Sequence, residues 1–172
     1  MILYNANETF STVSLPFGSG DKYMMYVMLP SEGKTVDDVI EALNNGYWEQ
    51  NRPSYPTIVD LKLPRFKTCS DIVLNDFISS LGASSMFDCE KADFTGISKN
   101  RKDLFVNLMK QKAAIEVSEE GTKTSAVTVA MMAGSTDPLD QKSVFHANRP
   151  FVYLIQEWDT RAIFFIGSYL GD

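Results

Sequence analysis

Histidine and cysteine are scarce in this chain: 172 residues contain one histidine, His146, and two cysteines, Cys69 and Cys89. A catalytic triad or a histidine-containing metal cluster would have to be built around that single imidazole. A lone histidine in a strand-like segment is more typical of a structural or surface residue. The two cysteines cannot define a disulfide framework or, at their spacing, a metal site, so we expect two unpaired structural thiols. The sequence therefore predicts a protein that is not an enzyme and that holds no metal.

Nucleotide-binding motifs are absent as well, since the sequence contains no Walker loop and no Gly-x-Gly-x-x-Gly pattern. No cysteine is paired with a histidine in the manner of a nucleophilic site. The acidic pair Glu119 and Glu120 resembles a general acid and base only superficially. Consecutive residues on a strand point to opposite faces, so these two carboxylates cannot act together. We predict no cofactor.

Positive charge is in the minority, because 16 basic residues against 22 acidic residues give a formal net charge of -6. This balance argues against nucleic acid or an anionic membrane as the main partner. No apolar run approaches the roughly 18 residues of a membrane-spanning helix, and no signal peptide precedes Leu3. The composition, 44% hydrophobic and 22% charged, is usual for a globular chain that buries a core.

Apolar periodicity predicts an α+β architecture with no strand-helix-strand repeat. Strands are expected at residues 11–17, 23–29, 57–63, 104–117, 151–155 and 162–166. The strand from Tyr23 to Leu29 is apolar throughout, which predicts burial on both faces. The last two strands form an apolar hairpin that we expect to aggregate if it is left uncovered.

Two short helices are expected between these strands. Thr35 is the predicted N-cap of the first helix and Gly46 its end, whereas Ser70 and Gly82 are the predicted N-cap and C-cap of the second. Apolar stripes at helical spacing support both helices: Val36, Ile40 and Leu43 in the first, and Val73, Phe77 and Leu81 in the second.

The segment from residue 122 to residue 136 is unusual, because it contains no aromatic residue, no acid and a single charge, Lys123. It is rich in small and β-branched residues, which suit a strand. Small residues occupy one face of its first half: Thr122, Thr124, Ala126, Thr128 and Ala130. Gly121 supplies a flexible pivot before the segment, and Asp137-Pro138 marks an exposed turn after it. Such a segment can be a solvent-exposed loop or a strand of a sheet.

At Glu119-Glu120-Gly121-Thr122 the sequence resembles the serpins, whose reactive-centre loop follows a hinge of this type and a run of small residues. Further motifs resemble serpin motifs in the family's order: Leu63-Pro64-Arg65-Phe66, Ala92-Asp93-Phe94-Thr95-Gly96-Ile97, Arg149-Pro150-Phe151 and Phe165-Ile166-Gly167. Each motif is weak alone, but together they cover nearly the whole chain in register.

The resemblance implies a serpin-like fold of mixed sheets, with strands of sheets B and C, two short helices and a strand that leads to the reactive-centre loop. The chain is short for a serpin. We therefore expect residues 1–172 to be the C-terminal part of a serpin domain, an incomplete fold with its reactive-centre loop at about residues 119–144. The N-terminal half of the fold is then an expected partner, and an extracellular or secreted location is expected.

The implied function is serine protease inhibition by a suicide-substrate mechanism, in which the cleaved loop inserts into the main sheet while the target protease is held as a covalent acyl complex. The hinge that must enter the sheet is Glu119, Glu120, Gly121, Thr122, Lys123, Thr124, Ser125, Ala126, Val127 and Thr128. Counting forward from Gly121 by the usual length of a serpin reactive-centre loop places the reactive bond at Ser135-Thr136. Counting back from Arg149 places it near Leu139-Asp140, and Met132-Ala133 is a second candidate.

Residues around these bonds predict the class of target. No basic residue lies between Lys123 and Lys142, which argues against trypsin-like or thrombin-like proteases. Small and apolar residues favour an elastase-like, subtilisin-like or chymotrypsin-like protease. Three positions depart from the usual inhibitory pattern, Lys123 and Val127 in the hinge and Gln111 before it. The alternative function that the resemblance leaves open is that of a non-inhibitory serpin-fold binding or carrier protein.

Overall fold

The computed structural model describes residues 1–18, 20, 22–98, 103–118 and 142–171. Within these ranges the chain forms ten strands and a few short helices. The strands are β1 (Ile2–Ala6), β2 (Phe10–Pro16), β3 (Tyr23–Pro30), β4 (Tyr55–Thr57), β5 (Val59–Lys62), β6 (Phe66–Val73), β7 (Lys110–Val117), β8 (Ser143–His146), β9 (Phe151–Glu157) and β10 (Ile163–Tyr169). The α-helices are α1 (Val36–Asn44), α2 (Tyr47–Asn51) and α3 (Asn75–Ile78). The predicted α+β class is confirmed.

Six of the strands form one antiparallel sheet in the order β10-β9-β3-β2-β1-β4. Two interior strands, β3 and β9, are buried along nearly their whole length. For β3 this is what the continuous apolar run from Tyr23 to Leu29 predicted. One face of the sheet packs against helices α1 and α2. The core between them consists of aromatic and aliphatic residues: Phe10, Met24, Tyr26, Met28, Val39, Trp48, Val152 and Leu154.

Helix α1 begins where the sequence predicted. Thr35 accepts a hydrogen bond from the backbone N–H of Asp38, and the Asp38 carboxylate accepts one from the N–H of Thr35, which completes a capping box. The predicted stripe is corrected at one position. Val39 is the fully buried residue of this helix, whereas Ile40 lies on its outer side and is exposed.

The prediction of a helix capped by Ser70 is wrong. Ser70 lies inside β6, which pairs with β7, so strand pairing outweighs the local capping signal. The helical segment begins only at Asn75 and continues through a π turn (Ser79–Ala83) and a 3₁₀ turn (Ser84–Phe87). Gly82, the predicted C-cap, has a φ of 99° and interrupts this segment instead of ending it.

Other predicted elements differ from the structure mainly in their limits. The predicted strand at residues 57–63 is divided between β4 and β5, and the one at 104–117 begins only at Lys110. The last two predicted strands pair as an antiparallel hairpin, β9 and β10. The sequence analysis predicted no strand at β1, β6 or β8 and no helix at α2.

The chain divides into two compact units. The first comprises Met1–Phe66 and Val117–Asp172 and contains the six-stranded sheet and the β5–β8 pair. The second, Lys67–Glu116, contains most of the β6–β7 pair and the helical segment between these strands. In the described ranges, no helix is long and apolar enough to cross a bilayer.

Candidate functional site

The candidate site is the stretch between β7 and β8. The predicted hinge (Glu119 to Thr128) and all three candidate reactive bonds (Ser135-Thr136, Met132-Ala133 and Leu139-Asp140) lie outside the described residues. The structure describes the two strands that flank this stretch. Strand β7 precedes it and ends at Val117, and strand β8 follows it and begins at Ser143.

The start of β7 is held by one asparagine, Asn75. Its side-chain amide donates to the carbonyl of Asn107 over 3.0 Å, and its side-chain oxygen accepts from the N–H of Met109 over 2.8 Å. The N–H of Leu74 donates to the carbonyl of Met109 over 2.8 Å. These bonds fix the position at which the chain enters β7. Sequence analysis did not single out Asn75, because its partners lie more than 30 positions away, at separations of 32 and 34 residues.

Ion pairs connect β7 to β6. Lys67 lies 3.5 Å from Glu116, and Asp71 lies 3.4 Å from Lys110 and 3.3 Å from Lys112. The first part of β6 therefore faces the end of β7, as antiparallel strands require. These side chains are all solvent-exposed, so each pair contributes little to stability, on the order of 0–1 kcal/mol. All three distances agree with a single antiparallel register of the two strands.

The β6–β7 pair has two different faces, and among the described residues each strand has one unpaired edge. Ile115 is buried, whereas the ion pairs occupy the opposite, solvent-exposed side. Gln111, one of the three departures from the usual serpin pattern, lies in β7 and is exposed. Among the described residues β7 pairs with β6 alone, so the N–H and C=O groups along its other edge are available to a further strand.

On the distal side of the stretch, β8 pairs in parallel with β5. The N–H of Ser143 donates to the carbonyl of Ile58 over 3.0 Å, and the N–H of Ala147 donates to the carbonyl of Lys62 over 2.8 Å. The Phe145 ring is fully buried. Strand β8 is therefore anchored by its backbone and by one aromatic side chain.

The single histidine, His146, lies at the end of β8. Its Nε2 atom is 3.0 Å from Oδ2 of Asp60 on β5, and both side chains are partly exposed. The hydrogen bond from His146 holds the pKa of the Asp60 carboxyl below its ordinary value, and the charges of Lys62 and Lys142 act in the same direction. The histidine thus links two strands. Sequence analysis placed Asp60 within the predicted strand at residues 57–63 but gave it no partner, because the pairing joins positions 86 residues apart.

Three of the sequence motifs meet in one aromatic cluster. The ring of Phe66 packs on those of Phe151, Tyr153 and Tyr169, with centroids 5.2–5.4 Å apart. Gly167 is the remaining member of this arrangement, because a Cβ atom there would lie 2.6 Å from the Tyr153 hydroxyl oxygen and 2.8 Å from its ring carbon Cζ. The glycine of Phe165-Ile166-Gly167 is therefore required by the close approach of Tyr153.

The other motif residues have local structural roles. The Arg149 guanidinium donates two hydrogen bonds, of 3.2 and 2.6 Å, to the carbonyl of Pro30 and so fixes the entry into β9. Asp93 accepts from the backbone N–H of Thr95 over 3.0 Å and from its hydroxyl over 2.7 Å, which forms a tight turn. Among the described residues, no group of three or more His, Cys, Asp or Glu side chains could hold a metal ion.

Comparison with known proteins gives consistent matches. The family model described as "Serpin (serine protease inhibitor)" matches residues 1–171. A probable serpin E3 of Danio rerio is 32% identical over 170 residues, which are 96% of this chain and 39% of that protein. Human glia-derived nexin is 32% identical over 161 residues, 92% of this chain and 39% of that protein.

The fold is matched by solved structures as well. The crystal structure of native protease nexin-1 with heparin superposes with a TM-score of 0.74 at 29% identity, over 95% of this chain and 42% of that one. The thermophilic serpin tengpin in its native state gives a TM-score of 0.74 at 29% identity, over 99% and 44%. The chain thus spans about two fifths of the length of the proteins it matches.

Proposed function

This chain belongs to the serpin family, and we propose that it forms the C-terminal part of a serine protease inhibitor that acts as a suicide substrate. The observation that carries the proposal is the run of small residues at 122–136, which follows β7, a strand with one unpaired edge among the described residues. Cleavage of the loop frees this run to add to the sheet as a new strand. The protein acts in this scheme as a substrate that traps its enzyme, not as a catalyst.

The energy available from insertion is sufficient. A new strand of about 14 residues, at a net 0.5–1.5 kcal/mol per hydrogen bond, supplies on the order of 10 kcal/mol before side-chain burial is counted. This is comparable to the whole stability of a typical domain, roughly 5–15 kcal/mol, so distortion of a trapped protease is feasible. The uncleaved fold must then be metastable and held by a kinetic barrier.

The hinge composition favours insertion. A charge or a bulky residue on the inward face would cost several kcal/mol, and Thr122, Thr124, Ala126 and Thr128 avoid both. Lys123 and Val127 depart from the usual pattern, but alternation places them on the opposite face. These two residues are the specific observation in favour of the second candidate function, a non-inhibitory serpin-fold binding or carrier protein.

We propose Ser135-Thr136 as the reactive bond, because the inserted length must match the sheet and is therefore best counted from Gly121. Small and apolar residues around it favour an elastase-like, subtilisin-like or chymotrypsin-like target. An extracellular or secreted location fits such a target and stays part of the proposal. So does the N-terminal half of the fold, which we expect to be needed for inhibition because most of the receiving sheet would come from it.

The proposal is tested by joining this chain to the N-terminal part of a serpin, mixing the product with an elastase-like and a subtilisin-like protease, and running a denaturing gel. We expect a denaturant-resistant band at the combined mass and loop cleavage at Ser135. Thr124→Arg places a charge on the inward face and should convert the inhibitor into a plain substrate, whereas Ser125→Arg on the opposite face should retain the complex. Cleavage without any covalent complex would favour the carrier function.

A separate control uses the 172-residue chain alone, which should be cleaved in the loop without inhibiting the protease. Stoichiometric inhibition by the isolated chain would contradict the requirement for an N-terminal half. Heat stability before and after loop nicking gives an independent readout, because a strand-inserting serpin becomes more stable when nicked and a non-inserting one does not.

A further inference from the structure

Helix α1 ends at an exposed asparagine–glycine pair. Asn45 is the C-cap of the helix, and Gly46 follows it in the left-handed region, with a φ of 75°, before α2 begins. Both residues are exposed to solvent. Asn45 is also the one asparagine of the chain that a glycine follows directly. No other part of the described chain lies within 4 Å of a Cβ atom built on Gly46, so its backbone nitrogen is open to approach.

The pair has a chemistry of its own, because asparagine is a labile side chain. The backbone nitrogen of Gly46 attacks Cγ of Asn45 and forms a bond to it, while the bond from Cγ to Nδ2 breaks. The proton lost from the Gly46 N–H leaves with the departing ammonia. Water then opens the cyclic imide at one of its two carbonyls. The products are aspartate and isoaspartate, and isoaspartate has one extra carbon atom in the backbone.

The folded end of α1 opposes this reaction in two ways. The N–H of Gly46 donates to the carbonyl of Leu43 over 3.1 Å, so the attacking nitrogen is engaged in a hydrogen bond. The backbone of Asn45 has a ψ of 12° and would have to rotate before that nitrogen could reach Cγ. Both restraints are released when the last turn of α1 opens. That turn contains no basic side chain to stabilise its carbonyls, and helix ends open at a low free energy.

The modification would act on α2. Val39 of α1 and Trp48 of α2 are buried in the same core, and Trp48 follows Asn45 by only three positions. The Trp48 ring packs on that of Tyr26, with centroids 4.9 Å apart. An extra backbone carbon between these anchors therefore has to be accommodated by a shift of α2. The new carboxylate also lies at the C-terminal end of α1, where the helix dipole disfavours negative charge.

We propose that Asn45-Gly46 is a deamidation site whose reaction is slowed by the folded end of α1, and that isoaspartate at position 45 displaces α2 from the sheet. The reaction needs only water, so the site does not depend on the proposed inhibitory function. Its rate measures how often the end of α1 opens, since the closed form holds Gly46 by its hydrogen bond to Leu43.

The experiment incubates the 172-residue chain at mildly alkaline pH, both folded and unfolded in guanidinium chloride, and follows isoaspartate by peptide mapping. We expect isoaspartate at position 45 in both samples, formed at least about tenfold more slowly in the folded chain because local opening must come first. Asn45→Gln should abolish the reaction, since glutamine would have to form a larger ring. Asn44→Gln is the matched control, because Asn44 is exposed but is not followed by glycine, and it should leave the rate unchanged.

The effect on α2 is read from the fluorescence of Trp48 in a Trp158→Phe background, which leaves Trp48 as the remaining tryptophan. We expect a red shift as isoaspartate accumulates, and a smaller one in Asn45→Asp, which adds the charge without the extra backbone carbon. Three results would overturn the proposal: isoaspartate absent from position 45 of the folded chain, equal rates in the folded and unfolded chains, and unchanged Trp48 fluorescence after conversion. Peptide mapping of the unaltered chain identifies the site even where a variant fails to fold.

Discussion

Strands β9 and β10 are neighbours in the same sheet and are both strongly apolar, yet their environments are opposite. Leu154 of β9 is 1% exposed, and its register partner on β10, Ile166, is 60% exposed. Sequence hydrophobicity does not distinguish the two strands. Of these two strands, only β9 is covered within the described part of the chain.

The difference separates two kinds of apolar strand. Burial of a side chain such as Leu154 stabilises the chain itself, by roughly 1.5–3 kcal/mol for a residue of this size. An exposed side chain such as Ile166 contributes little to that stability, because most of its surface stays in contact with water. The apolar character of β9 is thus explained by this chain's own fold, whereas that of β10 is not explained by contacts among the described residues.

The largest expected effect tests this contrast directly. Leu154→Ala should destabilise the chain by about 2–5 kcal/mol, because it leaves a cavity in the core, whereas Ile166→Ala should cost less than about 1 kcal/mol. Urea denaturation monitored by far-ultraviolet circular dichroism at low protein concentration measures both values. Similar losses for the two variants would show that β10 is covered within this chain and would remove the contrast.

The next effect concerns Gly167, a residue of β10 that is closely packed against Tyr153 of β9. Gly167→Ala brings a Cβ atom against the Tyr153 ring, which is itself packed on Phe66, and should cost about 1–3 kcal/mol through overpacking. Gly96→Ala is the control, because nothing lies within 4 Å of a Cβ atom there, and it should change stability by less than about 0.5 kcal/mol. An equally tolerated Gly167→Ala would mean that Tyr153 moves freely.

The entry into β9 gives a smaller effect. Arg149→Ala removes both hydrogen bonds to the Pro30 carbonyl and should cost about 1–2 kcal/mol. Arg149→Lys should recover little of this loss, because an ammonium group lacks the two-pronged geometry of guanidinium. Arg161→Ala, which removes only the exposed pair with Glu49, is the control and should lie within about 0.5 kcal/mol of the unaltered chain. Full recovery by lysine would show that charge alone matters at position 149.

These elements also show how far the sequence alone can be used. The continuous apolar runs of β3 and β9 and the capping signal at Thr35 are local patterns, and the structure confirms the elements predicted from them. Ser70 gave an equally good local signal, but the prediction failed because pairing with β7 decided the conformation of that segment. Local pattern is reliable only where tertiary contacts reinforce it.

Long-range contacts were beyond sequence reasoning for a different reason. The Phe66–Phe151 contact and the bonds of Asn75 to residues 107 and 109 depend on how the strands are arranged, which no local pattern specifies. The resemblance to serpins pointed to Phe66 and Phe151 as motif residues without giving their roles. It gave no indication of Asn75 or Asp60, so the supports of the two flanking strands emerged only from the structure. The hinge and the reactive bond lie outside the described residues and stay predictions.

The smallest expected effect concerns β8. Whereas β9 is held by buried apolar side chains, β8 has a polar, partly exposed link to β5, the contact between His146 and Asp60. Because His146 lowers the pKa of Asp60 in the folded chain, the pair contributes stability above the ordinary carboxyl pKa of about 3.9 and loses it as the pH falls through the lowered value. Asp60→Asn should therefore lower the melting temperature slightly at neutral pH and converge with the unaltered chain in strong acid. A double-mutant cycle with His146→Ala measures the coupling. Additive effects at neutral pH would show that the two side chains act independently, and that β8 is held by its backbone and Phe145 alone.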